Sequence, residues 1–107
     1  MKTLQIARKI ITEEVEKAGY KAEVIYLFGS RARGDYKEYS DYDFYVIVDT
    51  NIEREIKISI AGNVRRKLRS QLNISSDILI QSINTVNERR NDVGYVTYYA
   101  LKEGVSI

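Results

Sequence analysis

Gly29-Ser30-Arg31-Ala32-Arg33-Gly34 and, a little further on, Ser40-Asp41-Tyr42-Asp43-Phe44 stand between two short apolar runs. The first run, residues 22–28, reads Ala-Glu-Val-Ile-Tyr-Leu-Phe, and the second, residues 42–49, reads Tyr-Asp-Phe-Tyr-Val-Ile-Val-Asp. Both are short and rich in β-branched and aromatic side chains, the pattern of buried strands. A strand that ends in Gly-Ser is a turn signal with chemical content. Gly29 allows a tight turn and the close approach of backbone to a ligand. If Ser30 opens a short helix, its hydroxyl and the free N–H groups form an anion pocket. Arg31 and Arg33 add positive charge beside it. The hexapeptide reads equally as an ordinary loop with two exposed arginines.

Asp41 and Asp43 are two residues apart at the start of the second run, so a strand puts both carboxylates on one face. Such a pair repels unless a cation sits between the two groups, which favours a divalent ion. The plainer reading is polarity at a strand edge.

Outward from this centre, elements alternate. Residues 3–18 carry Leu4, Ala7, Ile11, Val15 and Ala18 on one helical stripe, and Gly19 stops it. Thr50-Asn51-Ile52-Glu53 has the form of a capping box with Thr50 as N-cap. It predicts a helix to about Gln71, with Ile52, Ile56, Ile60, Val64 and Leu68 on its buried side. Residues 74–81 predict a third strand, with Asp77 in apolar company. A carboxylate there is costly to bury unless paired or metal-bound. If this strand lies beside the second, Asp77 joins Asp41 and Asp43; alternatively it is solvated on an edge. A last helix over roughly 92–102 stops at Gly104, and Asn87–Asp92 reads as a polar loop. The order α-β-α-β-α, with the first two strands joined by a loop of about a dozen residues, predicts an α/β (α+β) fold, one domain over 1–107, with a sheet of about three strands covered by helices.

Composition narrows the chemistry. The 107 residues include no Cys and no His. That excludes disulfides, thiolate and imidazole metal sites, cysteine nucleophiles and a histidine base. Carboxylates, hydroxyls, Lys, Arg and backbone groups remain, and they suit hard, oxygen-bound ions such as Mg²⁺. A net charge of +2 is too small to signal nucleic-acid binding. No apolar run approaches the ~20 residues that span a membrane. The start, Met1-Lys2-Thr3-Leu4-Gln5, lacks a signal core, so a cytoplasmic protein is expected. Arg65, Arg66, Lys67 and Arg69 read as a solvated helix end or as a docking surface for an acidic partner. Tyr36, Tyr39, Tyr42 and Tyr45 flank the site, and Tyr95, Tyr98 and Tyr99 predict an aromatic patch on the last helix.

The Gly29-Ser30 turn followed by Asp41-Tyr42-Asp43 resembles the signature of the DNA-polymerase-β-like nucleotidyltransferase superfamily. The form Gly29-Ser30-Arg31-Ala32-Arg33-Gly34 and the small size resemble its minimal nucleotidyltransferases, the MNT proteins. The likeness runs from the first helix to Lys102-Glu103-Gly104-Val105. It implies a mixed sheet with flanking helices. It implies that Gly29 and Ser30 hold the β- and γ-phosphates of ATP, with Arg31 and Arg33 aiding phosphate binding or partner contact. Asp41 and Asp43 would ligate two Mg²⁺ ions, and Asp77 would complete the metal site and help activate the attacking hydroxyl. Such proteins act as antitoxins beside a HEPN-domain ribonuclease toxin and transfer AMP to one of its tyrosines. The resemblance leaves two alternatives: neutralisation by complex formation alone, and transfer to a small molecule or RNA. A homodimer or hetero-oligomer is expected, because so short a chain has no room for a separate acceptor domain.

Overall fold

The computed structural model describes residues 2–107. The elements are α1 (Lys2–Lys17), β1 (Ala22–Phe28), α2 (Ser30–Arg33), β2 (Tyr42–Val48), α3 (Arg54–Leu72), β3 (Ser76–Ser82), α4 (Ile83–Arg89), α5 (Val96–Glu103) and β4 (Val105–Ser106). The four strands form one sheet in the order β3-β2-β1-β4. β1 runs antiparallel to β2 and β4, whereas β3 runs parallel to β2, so the sheet is mixed.

β2 is the central strand, and Phe44 to Val48 are all buried. That is why its sequence is nearly continuously apolar rather than alternating. Its side chains feed two cores. Phe44, Val46 and Val48 pack with Ile11 and Val15 of α1 and Val64 and Leu68 of α3 on one face. Tyr45 and Ile47 pack with Val86 of α4 and Ala100 of α5 on the other. Tyr45 shares a 2.5 Å hydrogen bond with Thr97 of α5, so a buried polar pair clasps that helix to the sheet.

Three expectations need correction, and the sheet of about three strands gains a short fourth. Thr50 does not cap α3; Glu53 holds the N-cap position, without a side-chain cap bond, and the helix starts at Arg54. The connection before it is tied elsewhere, with Asp49 Oδ1 accepting from the Lys21 amide at 3.0 Å and Asn51 accepting from Asn84 at 3.1 Å. The third strand begins at Ser76 rather than residue 74. Asn73, at φ 53°, closes α3 by donating its amide to Arg69, and the chain needs the next residues to turn. The expected helix over 92–102 is α5, which starts only at Val96, and a helix not expected, α4, precedes it, capped by Ser82 accepting from the Thr85 amide at 3.2 Å. So α4 takes part of the stretch read as polar loop. A fourth strand, β4, pairs two residues with Tyr26 and Leu27 of β1; two residues carry no periodicity to read.

Lys67 of the basic cluster is not a surface ornament. Glu14 of α1 is only 5% exposed, and it accepts from Lys67 at 2.6 Å and Lys17 at 3.1 Å. The bond from Lys67 outweighs burial and, with help from Lys17, holds the Glu14 carboxyl below its ordinary 4.5. An unfolded chain therefore takes up this proton first as the pH falls. The stabilisation is full above about pH 4.5 and is lost as the pH drops through the lower, folded value. Urea unfolding of Glu14→Gln across pH 3–6 is expected to lose this acid limb; an unchanged limb would show that α1–α3 docking does not depend on the charge.

Candidate active site

The site forms where β1 ends, α2 begins and β2 and β3 start. Gly29 adopts φ 74°, ψ −157°, a conformation essentially reserved for glycine. It follows Phe28, whose register partner on β2 is Asp43. A Cβ at Gly29 would overlap the Asp43 carboxylate. The turn therefore lies directly against that carboxylate, and only a residue without a side chain allows it. Gly29 is the N-cap of α2, and its carbonyl accepts from the amides of Ala32 at 3.1 Å and Arg33 at 3.0 Å. The amides of Ser30 and Arg31 precede those bonds and are left over for other acceptors.

Asp43 and Asp77 are direct register partners on the parallel strands β2 and β3. Both belong to the face that carries Tyr45, Ile47 and Leu79, because side chains alternate. Helices α4 and α5 cover the Tyr45–Ile47 part of that face and leave the carboxylate end open. Asp41, one residue before β2, is exposed, as is Asp77, while Asp43 is half-buried. Burial pushes the Asp43 carboxyl above its ordinary 3.8, and the charges of Asp77 and then Asp41 push it the same way; Arg33 opposes them. The structure thus brings Asp41, Asp43 and Asp77 into one electrostatic group against Gly29.

The arginines play different parts. Arg31 donates through Nε and Nη2 to the Ser40 carbonyl at 3.2 and 3.1 Å, and through Nη2 to the Glu38 carbonyl at 3.0 Å. Its guanidinium also lies 4.3 Å from the ring centres of both Tyr36 and Tyr42. Arg31 therefore pins the loop that delivers Asp41. Arg33 bonds Asp35 at 3.3 Å and Glu103 of α5 at 3.0 Å, which raises its pKa, the Glu103 bond most. Those bonds use Nε and Nη1. Glu103 is a site neighbour that sequence reading missed, and nothing in the local pattern signals a partner 70 residues away.

Two clefts frame the picture. One of about 580 Å³, with Asn51, Lys57, Ser82 and Asn84 in its wall, lies at the far end of β2 and β3. In its wall Lys57 donates to Gln81 and Asn84 to Asn51. A smaller one of about 360 Å³ reaches Asp41 between the 35–41 loop and the α3–β3 turn. Asp41 lines the smaller; Asp43 and Asp77 do not.

Among the described residues, no three acidic side chains converge as a ready-made ion site in their present rotamers. The donor set nonetheless fits a hard divalent cation. It is all carboxylate oxygen, two of the three groups are exposed, and a cation relieves the repulsion by Asp77 and Asp41 that adds to burial in raising Asp43.

Residues 9–106 match the family model described as polymerase beta, nucleotidyltransferase. The chain belongs to that family. The nucleotidyltransferase fold also recurs in solved structures. A chain from the crystal structure of a toxin–antitoxin with AMP-PNP superposes with a TM-score of 0.61 at 21% identity, over 92% of this chain and 69% of that one. A mutant of the toxin–antitoxin MntA-HpeT gives 0.60 at 21% identity, over 94% and 70%. The Shewanella oneidensis complex of a tri-AMPylated HEPN toxin with MNT antitoxin gives 0.55 at 20% identity, over 95% and 69%. At these identities the likeness is one of fold. Among curated protein sequences, none is significantly similar to this nucleotidyltransferase-family chain. No helix among the described residues is long and apolar enough to cross a membrane.

Proposed function

We propose that this chain transfers AMP from ATP to a tyrosine of a HEPN-type toxin, in a reaction dependent on divalent ions, and so acts as its antitoxin. The observation that carries this reading is the register of Asp43 beside Asp77, with Asp41 next to them and the Gly29 turn against the Asp43 carboxylate. The family match supports nucleotidyl transfer, and the toxin–antitoxin assemblies that share the fold support the partner class.

The residues divide the work. Gly29 and Ser30 bind the β- and γ-phosphates through the free amides at the start of α2 and the Ser30 hydroxyl. Arg33 adds positive charge at the edge of the carboxylate group. Asp41, Asp43 and Asp77 would hold Mg²⁺, which when bound neutralises charge building on the phosphates. Asp77, exposed on the outer strand β3, faces the incoming phenol and accepts its proton. The phenolic oxygen forms a bond to the α-phosphorus, the bond to the β-phosphate oxygen breaks, and pyrophosphate leaves. Positioning and electrostatic stabilisation supply the rate, since little covalent chemistry falls to the protein. The partner supplies the acceptor, so a hetero-complex is the working form.

The test is transfer in a lysate of the source cell with Mg²⁺ and α-labelled ATP, beside the Asp41→Asn/Asp43→Asn double variant. A labelled protein band that depends on the intact carboxylates is expected. Label retained by the folded double variant refutes the site. Neutralisation of the toxin by that variant, with no label from either protein, refutes catalysis and leaves contact alone.

A further inference from the structure

We propose that the outer face of α3 is the docking surface for an acidic helix of the partner protein, seated over Gly62 and held by Arg65 and Arg69. The inference rests on the partner-directed transfer proposed above.

Between Glu55 and Asp77 the chain carries no acidic residue, and Lys57, Arg65, Arg66, Lys67 and Arg69 all fall in that stretch. Lys57 and Lys67 are used inside the molecule, by Gln81 and Glu14. The arginines are not. Ion pairs among the described residues join Glu14 to Lys17 and Lys67, and Arg33 to Asp35 and Glu103. Arg65, Arg66 and Arg69 are exposed and belong to none of them. Arg66 donates to Asn63, one turn back on its own helix. Arg65 and Arg69 are four residues apart, so their like charges repel across one turn. The helix dipole offsets this for Arg69 alone, the basic residue of the last turn. A negatively charged partner relieves the rest.

The same face has a shape. Ile58, Gly62, Arg65 and Arg69 follow one another at steps of three and four, so they form one row along the helix. Ile58 is 56% exposed. Gly62 sits in the helix interior, where glycine is a weaker helix former than alanine. It has no left-handed φ, and a Cβ there would meet only Arg66 Nη1 at 3.4 Å, an ordinary contact. Nothing inside the chain therefore requires glycine at this position. A bare backbone between an exposed isoleucine and two unpaired arginines lets a second helix approach closely.

Arg65 and Arg69 stand about 6 Å apart along the helix axis. Acidic residues four apart on a second helix match that spacing, and each guanidinium can give a carboxylate two parallel bonds. A nucleic-acid strand follows a longer cationic groove. This patch is closed at both ends, by Glu55 in the first turn of α3 and by Glu38 and Asp41, which share a cleft with Arg69. The helix α3 packs on the sheet face of Phe44, Val46 and Val48, opposite the one that carries Asp43 and Asp77. A helix docked on its outer side leaves the site open and raises the acceptor's effective concentration there.

The test is a dilution series. Source-cell lysate is labelled with Mg²⁺ and α-labelled ATP by the wild-type chain, by Arg65→Ala/Arg69→Ala and by Gly62→Gln, with an RNase-treated series in parallel. Both variants are expected to need on the order of tenfold more lysate for half-maximal label of the acceptor, the scale on which a close interfacial charge pair acts, and to reach the wild-type plateau. Gly62→Gln is expected to gain Tm, because glutamine is the better helix former, so its shift is not a loss of folding. A dilution curve unchanged in either variant, or a lowered plateau with an unshifted midpoint, overturns the proposal and leaves transfer standing. A shift that RNase treatment abolishes overturns it as well and assigns the face to RNA. No label from the wild-type chain overturns the transfer reading itself, and the proposal with it.

Discussion

Asp43→Asn is expected to cut nucleotidyl transfer by about 10³-fold, the scale on which single preorganised electrostatic groups act, while the folded protein becomes no less stable. The two effects have one cause. Asp43 is half-buried between the charges of Asp77 and Asp41, and its carboxyl sits above its ordinary 3.8. The folded state therefore keeps this proton at a pH where the unfolded chain has released it. With more protons bound in the folded state, stability falls as the pH rises from 3.8 through the folded value. Asparagine keeps the shape, removes the charge and removes that dependence. Label incorporation and urea unfolding at pH 4 and pH 7 check both halves. Full transfer by the variant, or a variant destabilised at pH 7, would refute the assigned role.

Gly29→Ala is expected to lose both activity and stability, through geometry rather than charge. At φ 74°, ψ −157° an alanine is strained by about 1–3 kcal/mol. Its methyl group would also overlap the Asp43 carboxylate. Either the turn or Asp43 must move, and a displacement of about 1 Å at a reacting centre costs on the order of 10²-fold in rate. Gly34→Ala is the control. Gly34 also has a positive φ, 92°, but nothing lies within 4 Å of a Cβ there. It should lose stability alone, with transfer per folded molecule retained. At about 4–8 °C in Tm per kcal/mol for a domain of this size, thermal unfolding resolves both variants. Equal loss of transfer in the two would mean that backbone strain, not the approach to Asp43, is what matters.

The elements that sequence reading placed best are those with a strong local signal. β1 begins and ends within the run 22–28, and β2 falls within 42–49. The stripe of α1 and the buried row of α3 recur in the core as Ile11, Val15, Ile60, Val64 and Leu68. Reading failed where the signal was short or shared. Thr50 and Glu53 have capping spacing, yet the chain there is held by Lys21 and Asn84, contacts made by distant segments. α4 and β4 are too brief for periodicity to separate them from loop. For Arg31 the sequence offered a positive charge beside a turn. Two tyrosine rings and two carbonyls contributed by the fold turned that charge into a loop clamp.

What the sequence by itself determined is local: a glycine where only glycine can turn, two aspartates spaced two apart where a strand begins, and the apolar periods that bury β2 and α3. These follow from backbone sterics and the repeat of side-chain direction, which need no knowledge of neighbours. The tertiary structure alone decided that β3 runs parallel beside β2 with Asp77 level with Asp43, and that Glu103 reaches Arg33. Such pairings join residues far apart in the chain. Their register is set by how the two cores on either face of the sheet fill, a property of the whole packed molecule rather than of any segment.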